Sequence, residues 1–310
     1  MTARTLRVIA FPGAPNLPTF AAIANGCFAD EGLELDLKLT PSSVEQARAT
    51  AAGDCDIACT AFDNVVAYAE GQGAAGPDVD PGYVVVAGAT QLELSLVVTP
   101  GIETFADLRG RSVALDALAT GFAFVLYDMM ARNGIGMSEV EMAAVGATPQ
   151  RWQSVKAGTH AATLTIEPFT SIAVKSGFRV LARSSDIYDS YQGGVIAARR
   201  GFAARHPDAV QGFLRAYLRG LAWVRDPANR DAAEALLQER MPEVQPQAVR
   251  PVMESLLSPR SGLTPGAAVL PEGMANVLGL RTRFGAGGAV LSDAGKYLDL
   301  SHLEALGAAR

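Results

Sequence analysis

Histidine, cysteine and tryptophan are the scarce residues of this 310-residue chain, with three, three and two copies. Each scarcity removes a class of function. His160, His206 and His302 stand far apart, and none falls in H-E-x-x-H or another ligand spacing, so no metal centre is expected. Cys27, Cys55 and Cys59 are too few, and odd in number, for a disulfide framework, although one bridge stays open and the redox compartment with it. Cys55-Asp-Ile-Ala-Cys59 falls on an apparent strand, which places both thiols on one face with Ile57 as small buried hydrophobes. The chain also lacks G-x-S-x-G, a P-loop, a kinase motif set and any carboxylate pair that spacing alone would bring together. No apolar run reaches about 18 residues, so no membrane-spanning helix is expected. Lys and Arg number 26 against 32 Asp and Glu, a net charge of −6, and no basic run could follow a phosphate backbone. Nucleic acid is thereby excluded as a partner. With no catalytic residue, metal or cofactor indicated, the pattern favours a binding protein.

What is present points to an α/β architecture. Apolar residues make up 49% and charged residues 19%, and 31 Gly with 17 Pro occur without period, as in loop-rich globular proteins. The length suits two lobes of ordinary size. Through the first two thirds, strand-like and helix-like segments alternate, which argues for sheets with crossover helices. Leu6 to Phe11, the alternating Leu33 to Leu39, Asp56 to Thr60 and Tyr83 to Ala89 read as strands. Leu92 to Thr99, Ser112 to Leu115, Val140 to Val145, Ala162 to Ile166, Arg179 to Ala182 and Val195 to Ala198 follow. Helices are expected near residues 19–28, 43–52, 62–70, 150–157 and 169–175, and from Thr120 onward, where Phe122, Val125, Leu126, Met129 and Met130 form one apolar stripe. After Gly194 the chain reads as helix and loop, with a long amphipathic helix from His206-Pro207 to Asp226-Pro227. Shorter helices follow near 229–239, 247–256, 271–280 and 301–306. Gly71-Gln72-Gly73-Ala74-Ala75-Gly76 spells G-x-G-x-x-G, but it follows a helix and runs into Pro77, so a flexible connection is expected rather than a dinucleotide site. The opening Met1 to Pro12 reads as a first strand and not as a signal peptide. The chain is then either cytosolic or has lost a leader.

In open α/β sheets ligands sit outside the carboxyl ends of the strands, so candidate binding residues are those just after each strand. These are Phe11, Asn16 and Leu17; Thr60, Ala61, Phe62 and Asp63; Asp116, Thr120, Gly121 and Phe122; Glu167 and Phe169; and Tyr188, Tyr191 and Gln192. Aromatic and polar groups mix in the proportion of a small-molecule cleft. Helices opening at Thr60 to Asp63 and at Thr120 to Phe122 would offer backbone N–H groups to an anion. Asp63, Asp116 and Glu167 occupy the same edge with no Arg beside them in sequence, which points the other way, to a ligand with amine or amidine donors. Asp63 is alternatively a helix cap.

A set of short motifs in a fixed order carries a resemblance. Asp107-Leu-Arg-Gly-Arg-Ser-Val-Ala-Leu115, the helix end Arg132-Asn-Gly-Ile135, Ala52-Gly-Asp-Cys-Asp-Ile-Ala58, Ile166-Glu-Pro-Phe169, His206-Pro-Asp-Ala-Val210 and Trp223-Val with Asp226-Pro227 span about residues 6 to 230. They resemble the type II periplasmic binding proteins, in the branch of ABC-transporter receptors for aliphatic sulfonates, taurine and thiamine-precursor pyrimidines. The resemblance implies two α/β lobes joined by two crossing strands near residues 90–96 and 191–196. Lobe one is then 1–92 plus 195–310, lobe two is 93–194, and the helices past about residue 230 brace lobe one. It also implies a small organic ligand, an ABC permease as partner if the chain is exported, and a periplasmic or cell-surface location in that case, otherwise a cytoplasmic one. The chain is read as a monomer. Residues Asp116 to Gly121 hold one hydroxyl, Thr120, where a sulfonate cradle uses several, so sulfonate specificity is not carried over. The ligand is expected to be aromatic or heterocyclic. The alternative is a cytosolic enzyme or ligand sensor of the same fold, with Asp63, Asp116 or Glu167 as its acid/base groups.

Overall fold

The structure is a computed structural model that describes residues 3–307. Ten strands form: β1 Arg4–Ala10, β2 Leu33–Leu39, β3 Ile57–Ala61, β4 Tyr83–Thr90, β5 Ser95–Val98, β6 Ser112–Leu115, β7 Glu141–Ala144, β8 Ala162–Thr165, β9 Arg179–Arg183 and β10 Gly194–Arg199. The helices between them are α1 Leu17–Ala24, α2 Cys27–Asp30, α3 Ser43–Ala52, α4 Phe62–Ala69, α5 Gly121–Arg132, α6 Thr148–Lys156 and α7 Phe169–Lys175. After β10 come α8 Arg200–Arg205, α9 Pro207–Arg225, α10 Arg230–Arg240, α11 Pro246–Leu256, α12 Pro271–Phe284 and α13 Ser301–Glu304. Among the described residues no helix is long and apolar enough to cross a membrane.

The strands make two five-stranded mixed sheets, in the orders β2-β1-β3-β10-β4 and β7-β6-β8-β5-β9. Each is the core of one lobe. Within the first, β1 runs parallel to β2 and β3, whereas β10 is antiparallel to both its neighbours. The second repeats this, with β5 as the antiparallel strand. In each sheet the antiparallel strand is the one that has just arrived from the other sheet. The crossing segments, residues 91–94 and 184–193, are tied by Ser184 N to Leu94 O at 2.8 Å and Leu94 N to Ser184 Oγ at 2.9 Å. They pass so closely that a Cβ on Gly193 would sit 2.2 Å from Gln91 O and 2.4 Å from Leu92 Cβ, so only glycine fits.

Local rules account for most elements. Helix α3 starts where the Ser42 side chain accepts from Glu45 N and stops at Gly53 in the left-handed region, φ 83°. The long α9 buries Val210, Phe213, Leu214, Tyr217 and Leu221 along one face, against α1 and the first sheet. Each fully buried side chain of this kind contributes about 1.5–3 kcal/mol.

Four details depart from the sequence reading. The helix expected over 19–28 is broken by Gly26 (φ 70°) into α1 and α2. Cys55 precedes β3 and packs on the face of the sheet opposite to Ile57 and Cys59, so the two thiols do not share a face, and all three cysteines are free. Helix α12 runs four residues past Leu280, to Phe284. The C-terminal helices do not serve lobe one alone. Helix α13 packs on α9 and β4, but α11 touches α7, and α12 lies against both α4 and α5. One apolar cluster consequently runs from the first sheet through Phe62, Val277 and Leu278 to Phe124 and the second sheet.

Candidate functional site

The carboxyl ends of β1, β3, β6, β7 and β8 face one another across a cleft of about 900 Å³, its open mouth included. Of the residues expected there, Phe11, Asn16, Thr60, Ala61, Asp116, Thr120, Gly121 and Phe122 line it.

The remaining expected residues lie elsewhere, each for a reason the local sequence does not show. Leu17 is fully buried under α9. Phe62 is likewise fully buried, edge-on to Tyr297 at 6.0 Å between ring centroids. Asp63 points away from the cleft and takes both ends of Arg281, Nε to Oδ1 at 2.7 Å and Nη2 to Oδ2 at 2.6 Å, in a pair that is 0% and 1% exposed. Glu167 accepts from Ser171 N at 3.2 Å and Ser171 Oγ at 3.0 Å, and burial pushes its carboxyl above the usual range. Phe169 packs with Trp152, Val97 and Ala173. Tyr188 donates its hydroxyl to Asp128. Gln192 donates to Gly194 O and accepts from Leu270 N, both at 2.8 Å, and so ties β10 to the start of α12.

These contacts change the electrostatics expected of the cleft. Two of the three carboxylates that argued for an amine ligand are used inside the protein. The third, Asp116, accepts from Ser43 N at 3.1 and 3.3 Å and thereby sits on the positive end of α3, across the mouth. Against it stands Arg151, which the sequence reading missed. Arg151 lies in the first turns of α6, lines the cleft and is 2% exposed. Its guanidinium donates to Gly146 O, Thr148 Oγ1 and Leu164 O, each at 3.0 Å, and its Nε has no partner. Burial pulls it down to about 10, with Asp116 opposing, so it stays charged at neutral pH. An arginine one turn into a helix that follows a strand end is a signal available in the sequence. It was masked because no acidic residue or motif stands next to it.

Three helices begin at the cleft wall without a side-chain cap: α4 at Ala61, α5 at Thr120 and α6 at Ala147. Their first N–H groups lack intrahelical partners, and their dipoles carry a positive end. Phe11, Phe122, Ile166, Leu92, Val195 and Ile196 supply apolar surface. Cys59 opens onto the cleft but is enclosed on its other sides, and burial pushes its thiol up to about 12. It is therefore a poor nucleophile. Tyr217, beside it, has a buried hydroxyl without a partner.

The lobes meet across the mouth. Ala14 N donates to Glu167 O at 3.0 Å and Ala147 N to Pro41 O at 2.8 Å, in addition to the Ser43 bond to Asp116. At the back, Arg281 Nη2 also donates to Ala119 O at 3.1 Å, which joins α12 to the loop before α5. The conformation is closed.

Solved structures share this architecture. A protein of Bordetella bronchiseptica RB50 is 21% identical over 98% of this chain and 97% of that chain, with a TM-score of 0.81. The alkanesulfonate-binding protein SsuA from Xanthomonas axonopodis pv. citri, bound to MOPS, is 15% identical over 95% of this chain and 98% of that chain, with a TM-score of 0.75. The periplasmic aliphatic sulphonate binding protein SsuA from Escherichia coli is 20% identical over 90% of each chain, with a TM-score of 0.65. At these identities the likeness is one of fold, that of the type II periplasmic binding proteins. No protein of curated description matches the sequence. Residues 3–238, which carry both sheets and every helix from α1 to α9, match the NMT1-like family, and the chain belongs to that family.

Proposed function

We propose that this protein is the solute receptor of an ABC-type import system and that it encloses a small organic anion with an apolar body. The observation that carries the reading is Arg151, a buried guanidinium whose partners are carbonyls and a hydroxyl, lining a cleft into which three uncapped helices open. Such an arrangement compensates a carboxylate or sulfonate, and the one carboxylate left at the cleft, Asp116, already accepts from Ser43 N at the start of α3. The Xanthomonas and Escherichia neighbours, described as binding an alkanesulfonate and aliphatic sulphonates, are consistent with it. Phe11, Phe122 and Ile166 suit an aromatic or aliphatic body rather than a bare inorganic ion. A permease that recognises the closed form, a location outside the cytoplasm and binding without turnover belong to the same proposal.

Calorimetric titration of wild type and Arg151→Met with benzenesulfonate, benzoate and hexanesulfonate tests the reading. Wild type binds at least one of these anions. The variant loses about 10–100-fold, the worth of a charge-assisted hydrogen bond in a dry site. Equal affinity in both proteins, or binding of the corresponding amines in place of the anions, rejects the proposal.

A further inference from the structure

Tyr217 and Arg151 stand on the two walls of one cleft. Arg151 belongs to α6 of the second lobe, and Tyr217 to α9 of the first. Each is 2% exposed, and each keeps a donor without a partner, Nε of the arginine and the hydroxyl of the tyrosine. The two differ in charge. Burial raises Tyr217 far above the usual phenol range, and the neighbouring Cys59 adds to the effect, so Tyr217 is a neutral donor at any physiological pH. Among the described residues no protein group pairs with the Tyr217 hydroxyl, and the cleft that it lines also exposes the apolar Val195 and Ile196. A buried hydroxyl left unpaired is costly, and native structures seldom keep one without a reason. A ligand that reaches across the cleft removes that cost.

We infer that the ligand is bifunctional: an anionic group faces Arg151 and the helix N-termini of the second lobe, and a neutral hydrogen-bond acceptor at its far end takes the Tyr217 hydroxyl. A heteroaromatic nitrogen, a carbonyl or an ether oxygen supplies such an acceptor, and an aryl or heteroaryl ring of the size bounded by Phe11 and Phe122 separates the two ends. This assignment rests on the anion-receptor reading above and narrows it. It also gives the tyrosine a part in selectivity, because a site built to pair a polar group rejects the analogue that lacks it more strongly than one built only on apolar contact.

The test uses pairs of probes that differ only in one ring atom: pyridine-3-sulfonate and pyridine-4-sulfonate against benzenesulfonate, with nicotinate and isonicotinate against benzoate. Wild type binds at least one pyridine member about 3–10-fold more tightly than its benzene counterpart, the range of one neutral hydrogen bond. Tyr217→Phe keeps the shape of the side chain, so the fold is retained, as a thermal scan checks. In that variant the preference for the pyridine member disappears while affinity for the benzene member holds. If the anions bind but no pyridine member is preferred, or if the preference survives in Tyr217→Phe, the bifunctional ligand is wrong and the anion receptor stands. If wild type binds neither member of any pair, both readings fall.

Discussion

Arg281 is the residue whose loss the structure predicts most sharply. Its guanidinium holds both oxygens of Asp63 at 2.7 and 2.6 Å, donates to Gln72 Oε1 at 3.0 Å and to Ala119 O at 3.1 Å, and stacks over the Phe124 ring at 4.8 Å. Arg281→Met keeps the stem and removes the charge. Asp63, 1% exposed, is then a carboxylate with no cation and no water. Breaking a buried pair from one side costs about 3–5 kcal/mol, most of it the penalty of the stranded charge. At roughly 2–4 °C per kcal/mol for a chain of this class, the unfolding midpoint falls by about 6–20 °C. Thermal scans by circular dichroism read the shift. The double variant Asp63→Asn with Arg281→Met separates charge from packing, because an amide is far cheaper to leave buried than a carboxylate. It recovers at least half of the loss. A fall of less than 2 °C in the single variant, or a double variant as unstable as the single one, refutes the stranded-charge argument.

Two further outcomes follow from buried residues outside the cleft lining. Phe62→Ala removes a fully buried ring that meets Tyr297 edge-on, so it costs about 3–5 kcal/mol of folding stability in a denaturant titration and leaves the anion preference of the folded protein unchanged; a selective loss of affinity at wild-type stability contradicts this placement. Asp128 is pushed up by burial, but Tyr188, Arg132 and Arg283 together hold it below its ordinary 3.8. Its contribution is therefore complete above about pH 5 and is lost as pH falls through 3.8 toward the lower native value. Wild type loses midpoint temperature as pH is lowered below 3.8 more steeply than Asp128→Asn, and parallel curves would count against the assignment.

Much of the fold is legible because its signals are local. Leu33 to Leu39 alternates with the period of a strand wet on one face, and the Ser42 cap and Gly53 stop bound α3. The strand-end rule reaches the cleft for the same reason, since Phe11 and Thr120 follow β1 and β6 and Thr60 stands at the carboxyl end of β3. It cannot say which way a side chain turns one residue later. Thr60 faces the cleft, while Asp63, three residues on, turns to an arginine 218 positions away, and no period or motif encodes a pair so distant. The amine-ligand expectation loses two of its three supports on that point, because it counted Asp63 and Glu167 as free charges. Arg151 was overlooked for the converse reason. It is surrounded in sequence by Gln150 and Trp152, and its importance arises only when β6 and β8 bring their ends beside it.

The unequal fastening of the two sides of the cleft has a kinetic meaning. The back is held by crossing segments that admit no Cβ at residue 193 and by a buried ion pair on a helix shared between the lobes, whereas the mouth is held by backbone bonds at Ala14 and Ala147 and by one carboxylate on Ser43. Departure of an enclosed solute must then wait for the mouth bonds to part, since the back offers no comparable route. Under the receptor reading proposed above, a solute that bonds both walls adds its own contacts to the mouth bonds, so each contact that bridges the lobes lengthens its stay.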